Sequence, residues 1–401
     1  MRLRILSPLI GFPLLAILPA LVLPCIWDSD TLADEVRGLP DAQDLVTGRW
    51  FRHGEAYYDK RIEAIPELLN KRPREFGLYD DLAVAYERIR DRDAAIAVMR
   101  RKHAALLVQS DSMDVLRDSW YRYHANLGTF LAHKGEFDKA LVELAKAIQV
   151  NPKAHFGRER FQIDLIRYVA ACKKDRELWS RHNYFTYAQR QPKENSWFSI
   201  TGTMSFTARF RADADTRKSP WKEMYTATAG MLRFGGLEGA ELYRSLGDLF
   251  LARQDLNLAW WAWQVAITKG HPAEARLRKA CKSIEKHWRE AARNTKKRFR
   301  APTLALFQSV QQNSRKWLKS FQDIEQELLD AGKDPSQKKV LTEMLERADR
   351  AVPRILPLPR GRGPSKGAVR DPSNGQPVPG RDRESGPPPA GGKLQKKSKG
   401  R

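Results

Sequence analysis

The chain has 401 residues, 42% of them hydrophobic and 30% charged, which suits a helix-rich globular protein of two to three domains with some unfolded flank. Three cysteines exclude a disulfide scaffold, and one long apolar run, near the N-terminus, excludes a polytopic membrane protein. The net charge of +23 is local: residues 1–270 carry +6, 271–320 carry +11, 321–350 carry −3 and 351–401 carry +9.

Arg2 and Arg4 precede an uncharged stretch from Ile5 to Trp27, and Asp28, Asp30, Asp34 and Glu35 follow it. Positive before and negative after is the pattern of a segment entering a membrane with its N-terminus inside. The run is long enough to span the hydrocarbon core, although Pro8, Pro13, Pro19 and Pro24 would kink a helix there. A cleaved secretory signal is the alternative, with Thr31-Leu32-Ala33 offering small residues. A lipid on Cys25 is a third reading, against which Leu23-Pro24 stands where a small residue is normal. All three export the body of the protein. Residues 1–33 are thus expected to be a signal or anchor, with 5–27 as the membrane-anchoring stretch. The expected location is the cell envelope, single-pass with the body outside the cytoplasm, or, if cleaved, secreted or periplasmic. Cys172 and Cys281 are expected to be separate thiols.

A repeat follows. In Tyr121–Pro152, numbered from Tyr121, Leu127 and Gly128 fall at positions 7 and 8, Leu131 at 11 and Gly135 at 15, with Ala140 at 20, Leu144 at 24, Ala147 at 27 and Pro152 at 32. Small residues at 8 and 20 let two helices cross closely, Gly135 ends the first helix and Pro152 stops the second. Phe76–Leu107 repeats the frame with Leu82, Ala83, Tyr86, Ala95 and Met99, and Ala240–Pro272 with Leu246, Gly247, Phe250, Ala259 and Trp263. Tyr58–Pro73 reads as a second helix alone, Val108–Asp118 as a helix extension plus a loop, and the copy at His155 is degenerate.

These positions resemble the tetratricopeptide repeat, a helix–turn–helix unit of about 34 residues. The stretches Cys25–Ala33, Val46–His53, Leu78–Tyr86 and Asn151–Glu159, with Gly230–Gly235 and Leu246–Leu249, are similar to a group of exported bacterial tetratricopeptide proteins common in planctomycetes. The resemblance covers roughly residues 25–270 and implies architecture and export far more than function, since that group has no assigned biochemical activity. The expected fold is all-α, a tetratricopeptide-type helical-hairpin solenoid with a small non-helical insertion and a disordered basic C-terminal tail; hairpins of this kind bury their apolar faces only by stacking.

The expected organisation is a signal or anchor at 1–33, an N-terminal solenoid part at 45–190, an insertion at 191–235, a repeat and basic helix at 236–300, amphipathic helices at 301–352 and the tail at 353–401. Within the insertion, Phe198 to Phe210 alternates apolar and polar residues with period 2, as a half-buried strand does. Trp260, Trp261 and Trp263 are expected in the core. Leu304, Phe307, Val310, Trp317, Leu318, Phe321, Ile324 and Leu328 recur at helical spacing up to Asp330, and a short helix follows over Ser336–Val352. Residues 353–401 hold ten prolines and nine glycines, too little apolar surface to offset their ordering entropy.

No phosphate-binding loop, dinucleotide fingerprint, zinc-helix motif or C-x-x-C is present, and no cofactor or metal is expected. The chain is read as a non-enzyme. The repeat resemblance implies an interaction protein whose inner helix surface holds another protein, here at Asp80, Val84, Glu87, Arg122, Ala125 and Thr129. For Asp80 the plainer reading is a solvated helix face. That set lacks the dense cations of a carboxylate clamp. The alternative is an anionic-surface binder, for nucleic acid, an acidic polymer or anionic lipid, through residues 276–300 with Lys296, Lys297, Arg298 and Arg300, and through the tail. Export makes nucleic acid an unsuitable partner.

Overall fold

The computed structural model describes residues 26–31, 38–152, 157–190, 220–235, 239–294 and 303–355, and every regular element among these is helical. Residues 5–25, the alternating stretch 198–210, the patch Lys296, Lys297, Arg298 and Arg300, and the tail beyond 355 lie outside the described residues. In chain order the helices are α1 (Ala42–Thr47), α2 (Glu55–Lys71), α3 (Phe76–Arg88), α4 (Arg92–Leu107), α5 (Met113–Lys134), α6 (Phe137–Val150), α7 (Arg158–Lys174), α8 (Leu178–Arg181), α9 (Tyr184–Ala188), α10 (Pro220–Phe234), α11 (Ala240–Ala252), α12 (Leu256–Thr268), α13 (Glu274–Asn294), α14 (Leu304–Asp330) and α15 (Lys338–Ala351).

Three hairpins, α3–α4, α5–α6 and α11–α12, are built alike. Each turns on one residue with left-handed backbone, at equivalent places: Arg90 (φ 71°), Gly135 (φ 90°) and Gln254 (φ 60°). Each turn closes through the same main-chain bond, from Asp91 N–H to Tyr86 O at 2.9 Å, Glu136 to Leu131 at 2.9 Å and Asp255 to Phe250 at 3.0 Å. These bonds satisfy carbonyls that the ending helix leaves without partners. The side chains of Asp91 and Asp255 then cap the next helix, accepting from the N–H of Ala94 at 3.0 Å and of Leu258 at 3.1 Å.

The crossings of two hairpins depend on absent side chains. A Cβ on Gly128 would lie 2.8 Å from Leu144 Cγ and 3.2 Å from the Ala140 carbonyl. One on Gly247 would lie 2.4 Å from Trp263 Cδ1 and 3.1 Å from the Ala259 carbonyl. Trp260, Trp261 and Trp263 are all buried, with Trp260 edge-on to Phe307 of α14 at 5.8 Å and donating to Glu285 Oε1 of α13 at 3.0 Å.

The pattern lapses after α7. Among the described residues the next two helices, α8 and α9, are single turns. The second half of the segment expected as a non-helical insertion forms α10, which packs on α7 and α11. The reason is visible in its sequence: Met224, Ala227, Thr228, Met231 and Leu232 recur at three and four, and all are buried.

The C-terminal hairpin α14–α15 returns to the segment between α1 and α2. Trp317, Phe321, Ile324 and Leu328 close a core with Val340, Leu341, Met344, Ala348 and Phe51. Arg49 donates to Asn313 Oδ1 and Asp349 Oδ1, each at 3.0 Å, and to the Val352 carbonyl at 2.8 Å. The Gly54 N–H donates to Glu325 Oε2 at 2.6 Å, and Lys60 to the Leu329 carbonyl at 2.6 Å.

At the other end the apolar run expected to reach Trp27 is cut short. Ile26 is 1% exposed and Trp27 is 7% exposed, both packed inside the helical body. Any membrane-anchoring stretch therefore stops at residue 25. No helix among the described residues is long and apolar enough to cross a membrane. Cys172 and Cys281 are buried and unpaired, and burial pushes both thiols up to about 12.

Two substitutions in one hairpin should act in opposite directions. Gly247→Ala should lower stability by about 1–3 kcal/mol, because overpacking against Trp263 outweighs the gain in helix propensity of about 1 kcal/mol. Gln254→Gly should raise stability by about 0.5–1 kcal/mol by relieving a left-handed backbone. Urea unfolding followed by circular dichroism checks both.

Candidate functional site

Helices α3 and α5 lie side by side. On α3, Asp80, Val84 and Glu87 share one face, and on α5 so do Arg122, Ala125, Asn126, Thr129 and His133, by the three-and-four spacing. The six residues expected to line a partner groove are thus brought to adjacent faces. Five of them, Asp80, Val84, Glu87, Ala125 and Thr129, are buried, and Arg122 keeps 22% of its side chain exposed.

What covers them is the chain itself. Residues 26–31 cross these faces. Asn126 takes both main-chain groups of Trp27: the Trp27 N–H donates to Asn126 Oδ1 at 2.7 Å, and Asn126 Nδ2 donates to the Trp27 carbonyl at 2.9 Å. The Trp27 ring stands edge-on to Tyr121 at 5.8 Å, in a cluster with Ala125 and Ala147, and the Arg122 guanidinium lies 5.7 Å from its centroid. Farther along, the Ser29 N–H and hydroxyl donate to Asp81 at 2.8 and 3.1 Å. Asp30 accepts from the Tyr57 hydroxyl at 2.6 Å and from Arg61 at 2.9 Å. The same guanidinium stands 3.7 Å from both Asp28 and Asp81. One cation thus serves three carboxylates.

Beneath this segment sits a buried ion pair. Lys102 Nζ of α4 donates to both oxygens of Asp80 at 2.7 Å, and Asn126 Nδ2 donates to Asp80 Oδ1 at 3.1 Å. Burial pushes the Asp80 carboxyl up and the Lys102 ammonium down, and their mutual attraction opposes both shifts. Glu87 pairs with His133 at 2.7 Å, and the Thr129 hydroxyl accepts from Gln162 Nε2 at 2.9 Å. Asp80, the residue expected on a solvated face, is instead a deep structural carboxylate.

The basic helix α13 presents a different surface. Leu277, Cys281, Ile284 and Trp288 face the core, while Arg276, Arg278, Lys279, Lys282, Lys286 and Arg289 are exposed. A cleft of about 490 Å³ also opens between α4, α5 and α6, with Ile96, Leu127, Leu131 and Val142 in its lining and Lys134 and Glu136 among its charged residues. No group of three or more His, Cys, Asp or Glu that could hold a metal occurs among the described residues.

Sequence reasoning missed Tyr57, Arg61, Lys102 and Asn126, and missed residues 26–31 as a ligand of the groove. One signal was present. Ile26-Trp27 followed by Asp28 and Asp30 reads equally as the end of an apolar leader and as an anchor-and-charge motif for a peptide site.

Two further carboxyls outside the groove stand high. Burial pushes Asp164 of α7 up to about 7 against the opposing charge of Arg167, and its Oδ2 has no hydrogen-bond partner among the described residues. Burial, with the neighbouring charge of Asp41, does the same to Asp44. In the groove Asp81 is also pushed up to about 7, by burial first and by Asp28 and Asp30, against Arg61 and the Ser29 N–H.

Lys102→Met should cost about 3–5 kcal/mol, because Asp80 is left buried with a single amide donor. The double variant Asp80→Leu, Lys102→Met should recover most of that loss, as urea unfolding would show. For Asp164 the sign follows from its raised value. Between about 4 and 7 the folded state binds the extra proton, so this group's contribution to stability is present at low pH and lost as pH rises through about 7. Asp164→Asn should therefore stabilise the chain by about 1–3 kcal/mol at pH 8 and by little at pH 4.5. Stability curves of both proteins across that range test it.

Comparison with protein-family models, with curated proteins and with solved structures gives no significant match.

Proposed function

We propose that this chain is a tetratricopeptide-type solenoid that acts as a protein–protein interaction scaffold of the bacterial cell envelope, without catalytic activity. The repeat frame is supported by the three hairpins, which place their left-handed turn residue, their main-chain closure and their small crossing residues at matching positions. The binding role rests on one observation. The inner helices already hold a peptide segment by its main chain, through the side-chain amide of Asn126. A surface that recognises N–H and C=O together can hold a segment of another protein in the same way.

Export is part of this reading. Residues 5–25 tie the body to the membrane, and the body lies outside the cytoplasm. Cleavage behind Ala33 would remove Ile26–Thr31 from the groove and expose Ile26, Trp27 and the network around Asp80. Any leader cleavage consistent with the packing therefore falls ahead of Ile26.

A second reading has its own observation. Six exposed cations on α13 form a basic face fit for an acidic polymer, an anionic lipid surface or an acidic protein.

Photocross-linkers placed at Arg122 and at Lys282 of the native, membrane-extracted protein separate the two. The scaffold reading expects protein adducts at Arg122, a chain whose N-terminus lies at or before Ile26, and recovery in the membrane fraction. Adducts confined to Lys282, with binding that falls steeply as salt rises, would favour the basic-face reading. A soluble cytosolic protein would overturn the envelope role.

A further inference from the structure

Residues 26–31 are held to the body through side chains, as its helices are held to one another, and one of these contacts grips the main chain itself. Among the described residues, this segment has no main-chain to main-chain hydrogen bond with any helix. Its main chain is bound by the side chains of Asn126 and Asp81, apart from the local turn closed by Asp28 and Thr31. An amide side chain that takes the N–H and C=O of one residue together grips a segment without needing any regular structure in it.

The contacts also divide the segment into two recognisable ends. Ile26 and Trp27 fill an apolar subsite, with Tyr121, Ala125 and Ala147 around the indole and Arg122 against its ring. Asp28 and Asp30 surround Arg61, and the Tyr57 hydroxyl fixes Asp30. The acidic end is held with less advantage than the aromatic end. Asp28 and Asp30 of the segment meet Asp81 of α3 around one guanidinium, so like charges oppose part of the attraction.

We propose that the groove formed by α2, α3 and α5 is a peptide-binding site closed in cis by Ile26–Thr31, and that its partner is a protein segment with an aromatic residue followed by two carboxylates, which enters by displacing this strap. The proposal rests on the scaffold reading and adds the ligand chemistry and the gate. A tethered strap competes at an effective concentration of about millimolar, so a free peptide of the same sequence meets a groove that is already filled.

The probe is a labelled peptide Ile-Trp-Asp-Ser-Asp-Thr, blocked at both ends, offered to the full-length detergent-solubilised chain. Wild type should bind it weakly. The full-length variant Trp27→Ala, folded as judged by circular dichroism and a cooperative melt, should bind it at least about tenfold more tightly. Adding Asn126→Ala should return the affinity to the wild-type level or below. A peptide with its tryptophan replaced by alanine, or with both aspartates replaced by asparagine, should bind at least about tenfold more weakly. A folded Trp27→Ala chain that ignores the peptide overturns the proposal.

Hydrogen exchange on the wild-type chain is a second test that needs no variant. The amides of Trp27 and Ser29 should exchange at least about a hundredfold faster than the buried amides of α5, by local release of the strap. Equal protection would make the strap a core element and end the proposal. Protein adducts at Arg122 while those amides stay protected would overturn the strap mechanism and leave the scaffold reading standing.

Discussion

The Asp80 carboxylate is the constraint around which the inner face is arranged. It is 1% exposed, and a buried carboxylate is tolerable only where a cation and further donors meet it. Lys102 reaches it from α4, so the hairpin α3–α4 is closed by charge as well as by apolar packing. Its second donor is Asn126 of α5, which couples two successive hairpins. With one amide hydrogen bonding Asp80, the Asn126 side chain is held in an orientation that leaves its oxygen and its nitrogen facing the Trp27 main chain. A single buried charge thereby fixes the group that holds the N-terminal segment.

The same logic recurs where the chain closes on itself. Glu325 of α14 accepts from the Gly54 N–H and contacts His53, so one carboxylate serves the N-terminal end of α2 and the ring just before it. An anion at a helix N-terminus is favoured by the unpaired N–H groups there. Arg49 does the converse, donating toward α14 and to the Val352 carbonyl just past α15. The apolar stripe of α14–α15 buries against Phe51, and these polar contacts set its register. The C-terminal hairpin thus covers the start of α2 rather than leaving an apolar helix face in water.

Much of the helical architecture was legible. The alternation of small and large residues at fixed spacing located α3 to α6, α11 and α12, because a close helix crossing tolerates only Gly or Ala at its centre. The period of three and four in 304–328 located α14. The turn positions were legible only in part: Gly135 announces a left-handed residue, whereas Arg90 and Gln254 occupy the same conformation with no such signal, since the closure bonds of the turn outweigh the cost of their Cβ. Helix α10 was read as insertion because its apolar residues follow a long stretch of a different period.

By itself the amino-acid sequence determined most of the helical segments, α10 excepted, and where the repeat helices pair, for those are local matters of periodicity, capping and side-chain size. It also marked the basic helix and the apolar N-terminal run. Only the tertiary structure decided the fate of the groove. Whether Asp80 lies in water or against Lys102, and whether Trp27 ends a membrane segment or fills a protein site, depends on residues 22 to 99 positions apart meeting in space. The same residue types satisfy both outcomes locally. The choice is made by burial, which turns a solvated helix face into a charged interior that must be paired: Lys102 and Asn126 meet Asp80, and Asn126 in turn holds the Trp27 main chain.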